Sequence, residues 1–125
     1  AKGLELNAKP LTVAVLDQGG QLKAFKRQDG SSLLRPEIAL GKAWGALGMG
    51  QNSRQLAQVA AERPSFIAAA IAASAGRLVP VPGGVLLREA AGGEIWGAVG
   101  VSGDTSDLDE ECAIAGIEAA GLFAG

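Results

Sequence analysis

The 125-residue chain has no histidine and no tyrosine, one cysteine, one methionine, three phenylalanines and two tryptophans. Without histidine it cannot itself supply a Ser–His–Asp or Cys–His triad, or an imidazole zinc site. Cys112 alone cannot close an internal disulfide or build a cysteine-rich zinc site. Positive charge is not in excess either. The 11 Lys and Arg against 13 Asp and Glu give a net charge of -2, which argues against a partner rich in nucleic-acid phosphates. No apolar run approaches the roughly 18 residues of a membrane span. Ala1–Pro10 lacks the charged and apolar regions of a signal peptide, so the expected location is cytoplasmic.

Glycine, by contrast, is plentiful at 19 residues, and alanine is abundant beside it. The length predicts a single domain, residues 1–125. A domain so poor in large side chains must gain burial from close backbone approach or from partner subunits, which points to a homo-oligomer.

The pattern along the chain reads as α+β with a largely antiparallel sheet. Leu11–Asp17 is a continuous apolar run and Gln21–Arg27 alternates; the glycine pair between them marks a hairpin. Pro36 suits the first turn of a helix that runs to Gly48 or Gly50. Ser53 is a candidate cap for a second helix that Pro64 interrupts, and Ser65–Ala75 continues as an alanine-rich helix stopped by Gly76. Strands are predicted near 78–81, 84–89 and 94–102, the first confined to an edge by Pro80 and Pro82. Asp104, Thr105 and Ser106 are candidate caps for a last helix running towards Leu122. The opening residues read as the tail of an element already under way, and a missing N-terminal helix is the expectation.

Several clusters could carry chemistry. Gly83-Gly84 and Gly100-Val101-Ser102-Gly103 could bring backbone amides to an anion, or could simply make tight turns; the second run lacks the phosphate-loop pattern. Asp104, Asp107, Asp109, Glu110 and Glu111 do not follow the calcium-loop spacing and read as a helix entry complementing the dipole, so no metal site is predicted. Lys42, with Glu37 and Arg35 upstream, could be a base, a Schiff-base nucleophile or an anion partner, or could pair with a carboxylate. Cys112, beside Glu110 and Glu111, reads as a packing residue, because carboxylates raise a thiol pKa.

Taken in order, LTVAVLDQGGQLKAFKRQDG, EIALGKAWGA, VPVPGGVLLR and GEIWGAVGVSGDTSDLDEECAIAG resemble the GlcG/HbpS-like family, the haem-degrading domain family that includes the PduO C-terminal domain. The resemblance spans about residues 11–121. It implies a profilin-like fold, a five-stranded antiparallel sheet with packed helices and usually a helix before the first strand, and homo-oligomers from dimers to octamers. It also implies haem or another tetrapyrrole as ligand, with haem degradation in some members. Carried over by motif, the ligand-binding candidates are Glu37, Lys42, Gly83, Gly84, Gly100, Val101, Ser102 and Gly103, with Lys42 the catalytic candidate. Haem-binding relatives can use a histidine, often from the N-terminal helix. In its absence iron would need Lys42, Met49, Cys112, a weak oxygen ligand or no protein ligand. Two other functions stand beside this one: a small-molecule protein handling an organic acid or aldehyde through Lys42 and the 100–103 loop, and a non-catalytic oligomeric accessory protein.

Overall fold

A computed structural model describes residues 2–125. Its elements are a helical turn α1 (Lys2–Glu5), β1 (Thr12–Asp17), β2 (Leu22–Arg27), α2 (Arg35–Met49), α3 (Ser53–Glu62), α4 (Pro64–Ala73), β3 (Gly84–Arg88), β4 (Ile95–Ser102), α5 (Ser106–Ala119) and β5 (Phe123–Ala124). The strands form one antiparallel sheet in the order β2-β1-β4-β3-β5. This is the α+β, five-stranded antiparallel architecture that the resemblance implies.

The hairpin forms where the Gly-Gly signal placed it. Asp17 Oδ1 accepts from the amides of Gly19 at 2.9 Å and Gln21 at 3.0 Å, and Gly20 adopts φ 80°. Helix α2 carries Pro36 in its first turn and ends at Gly50, whose left-handed φ of 68° matches a glycine stop. Thr105 caps α5, accepting from the Leu108 amide at 3.3 Å.

Two expectations need correction. Residues 78–81 form no strand: Pro80 and Pro82 remove ladder donors, and the segment instead lies along α2, with the Val79 amide reaching Gly41 O at 3.4 Å. The fifth strand is Phe123–Ala124, pairing with Leu87 and Arg88 of β3. Ser53 is not the cap of α3 either. Asn52 takes that place, its amide donating to Gln55 Oε1 at 3.0 Å, while the buried Ser53 hydroxyl accepts from the Gly84 amide at 2.7 Å.

Strand alternation divides the core between two faces. Leu16, Leu86 and Ala98 meet Ala43 and Ala46 of α2 on one side. Val85, Val99 and Val101 meet Ala113 and Ile117 of α5 on the other. The layers approach closely because glycine occupies the contact points. A Cβ on Gly100 would run into the Ala39 carbonyl oxygen, and one on Gly84 into that of Lys42.

Candidate functional site

Lys42 leaves α2 facing the strands and is fully buried. Its ammonium donates to the Val101 carbonyl at 2.9 Å and to Asp109 Oδ2 at 3.2 Å, tying α2 to β4 and to α5. Asp109 also accepts from the Gly103 amide at 3.3 Å and the Asp104 amide at 3.0 Å, so its carboxylate fixes the turn between β4 and α5. Gly83 is needed where it stands: a Cβ there would lie 2.7 Å from Lys42 Nζ, and its φ of 128° disfavours other residues. Ser102 is buried and accepts from Arg35 at 3.1 Å, and a Cβ on Gly103 would lie 2.9 Å from the Leu11 Cα. Burial lowers the Lys42 pKa, with Arg35 adding to it, while Asp109 acts in the opposite direction.

Seven of the eight candidates lie where α2 meets β3, β4 and the turn into α5: Gly83, Val101 and Gly103 meet the buried Lys42–Asp109 pair, Gly84 and Gly100 meet the backbone of α2, and Ser102 meets Arg35. Of these seven, Val101 also lines an open groove. Glu37 lies apart, in a different groove against α2. The acidic residues split as a helix entry would: Asp109 turns inward, while Asp107 and Glu110 face Arg54, the latter at 2.9 Å. Among the described residues no three His, Cys, Asp or Glu converge on a point where a metal could sit.

The groove that Val101 lines, of about 380 Å³, lies between α1, α5 and the sheet. Its floor is Leu11, Val13, Val99 and Val101, and its α5 wall is Cys112, Ala115, Gly116 and Ala119. Those four fall at helical spacing on one side of α5, and their small side chains leave the space open. Lys26, Glu5 and Lys2 stand at its edge, Lys2 with its ammonium 3.9 Å from Glu111 Oε1. The half-buried Cys112 thiol has a raised pKa, first from burial and then from Asp109 and Glu111, so it stays protonated at neutral pH. Reasoning from motifs missed this groove. The small-residue stripe on α5 was its one sequence signal.

The fold and this arrangement define an antiparallel α+β domain with a helix layer on each face and an apolar, lysine-edged groove under the C-terminal helix. A family model described as "Haem degrading protein HbpS-like" matches residues 1–118, and the chain belongs to that family. It is 32% identical over 111 residues to an uncharacterized 15.0 kDa protein in the dhaT-dhaS intergenic region of Citrobacter freundii, covering 87% of this chain and 74% of that one. The crystal structure of a PduOC–haem complex superposes with a TM-score of 0.83 at 25% identity, covering 99% of this chain and 86% of that one. The crystal structure of HbpS gives 0.77 at 26% identity, covering 94% and 77%. No helix among the described residues is long and apolar enough to cross a membrane.

Proposed function

We propose that the chain binds haem or a related tetrapyrrole in the groove between α1, α5 and the sheet. One observation carries the reading: an apolar slot of ligand-site size with two lysines at its edge. A flat macrocycle bearing two carboxylates has the matching chemistry, its ring against the valine floor and its carboxylates towards Lys2 and Lys26. Family membership and the likeness to a PduOC–haem complex support the same ligand.

The residues present fit the ring better than the iron. The chain has no histidine, and the sulfur in the groove is a protonated thiol. Affinity would then come from ring burial and the lysines. Bound haem would supply iron for oxygen chemistry, while the chain's own part is to hold the ring and exclude water from one face. The Lys42 cluster serves as support: the ammonium holds the Val101 carbonyl, and Asp109 anchors the first turn of α5. The proposed activity is haem binding. Self-association fits the exposed apolar surface on α4 around Phe66 and on edge strand β2 around Phe25.

A hemin titration followed by Soret absorbance tests the reading. The chain is expected to saturate at one equivalent. Ala115→Trp, which fills the slot, is expected to weaken binding at least about tenfold with an unchanged circular dichroism spectrum, whereas Arg77→Gln in the other groove leaves it unchanged. Equal affinity in Ala115→Trp would remove hemin from this groove.

A further inference from the structure

The second groove, of about 440 Å³, lies on the other face of the sheet against α2. Glu37, Leu40, Gly41 and Trp44 follow one another at helical spacing along its wall, and Leu16 and Leu22 complete the apolar surface. Arg77 enters from the turn after α4, its guanidinium carbon 4.1 Å from the centre of the Trp44 ring. Stacking on an indole holds a guanidinium by its face and leaves its edge donors free.

Three features of the backbone hold that arginine in place. Ala75 has φ 56° and Gly76 φ 80°, two consecutive left-handed residues that turn the chain back over α2. The Leu78 amide is held by the Ser74 hydroxyl at 3.0 Å. Gly41 admits the returning segment, since a Cβ there would lie 2.7 Å from the Arg77 carbonyl oxygen. A left-handed alanine is an unfavourable local conformation, retained here where it delivers a cation to a groove. None of the ion pairs among the described residues involves Arg77 or Glu37, so the groove holds a cation and an anion that are both uncommitted.

From this we infer a second binding site, for a small carboxylic acid that carries a compact apolar group and a hydroxyl donor. The ligand carboxylate pairs with the free edge of Arg77, in the two-pronged geometry guanidinium favours. Its apolar group lies against Trp44, Leu40 and Leu22. Glu37, an acceptor, takes the hydroxyl; a plain carboxylic acid leaves it unused. This site shares no lining residue with the groove assigned to tetrapyrrole and stands whether or not that assignment holds.

Mandelate is a suitable probe, with phenylacetate as the comparator lacking the hydroxyl. In a Trp96→Phe background only Trp44 fluoresces, and its emission is expected to change saturably with mandelate. Arg77→Gln should weaken mandelate at least about tenfold with the circular dichroism spectrum unchanged, through loss of the charge-assisted pair. Glu37→Leu, which removes the acceptor, should reduce the preference for mandelate over phenylacetate several-fold, while loss of the negative charge leaves phenylacetate bound at least as tightly. A linear, unsaturated change, or equal mandelate affinity in Arg77→Gln, would overturn the assignment. A preference for mandelate that survives in Glu37→Leu would overturn the part given to Glu37.

Discussion

Lys42→Met is expected to destabilise the chain by about 3–5 kcal/mol, the range for removing one partner of a buried ion pair. Methionine keeps most of the volume, so the loss comes from charge rather than from a cavity. Asp109 would stay buried with its two backbone amides but no cation, and the Val101 carbonyl would lose its donor. A domain stable by about 5–15 kcal/mol loses a large part of its margin, read as a fall in the urea midpoint at unchanged slope. Adding Asp109→Asn should recover part of the loss, because the amide oxygen still accepts from a backbone N–H and no lone charge is left inside. An undiminished midpoint in Lys42→Met would show that the pair does not hold the layers together. The pH dependence has a defined sign. Burial lowers the Lys42 pKa, so between its folded and ordinary values the unfolded chain carries more protons. The contribution of this group to stability therefore rises with pH across that window, which lies below the ordinary lysine value, and Lys42→Met removes that slope.

Gly100→Ala is expected to cost about 3 kcal/mol or more, at the upper end for overpacking. The added methyl would meet the Ala39 carbonyl oxygen head-on and stand 3.1 Å from the Ala43 Cβ. The first obstacle is helix backbone, which can yield only if all of α2 moves away from β4. Gly116→Ala provides the contrast. A Cβ there meets nothing within 4 Å, and the position is helical, so alanine should stabilise by a few tenths to about 1 kcal/mol. Thermal melts of the two variants measure both signs in one experiment, and similar melting points would refute the packing account.

These substitutions show why the glycine motifs were legible as important and yet ambiguous in purpose. Close approach of a ligand and close approach of a helix demand the same missing Cβ. The sequence shows the glycines but not what comes near them. At Gly84 and Gly100 it is α2, and at Gly83 it is the Lys42 side chain. The pairing of Lys42 with Asp109 spans 67 positions and no local pattern announces it, although a carboxylate partner was among the readings open to that lysine. Local chemistry was read more surely: the turn at Asp17–Gln21 and the stop at Gly50 follow from side chains and glycines within a few residues. The fifth strand escaped because two residues carry no periodicity, and its pairing depends on a partner more than thirty positions away. Both grooves combine elements distant in sequence. One brings Lys26 of β2 to the small-residue side of α5, and the other brings Arg77 to Trp44.

The most direct test of the tetrapyrrole assignment is the position of the ring on the molecule. Amide chemical-shift mapping with gallium protoporphyrin, a diamagnetic stand-in for haem, reports it residue by residue. The account predicts the largest shifts at Val13, Lys26, Val99, Cys112 and Ala115, with Trp44 and Arg77 unmoved. Shifts centred on Trp44 and Arg77, or weak shifts scattered over the exposed apolar surface of α4, would contradict it.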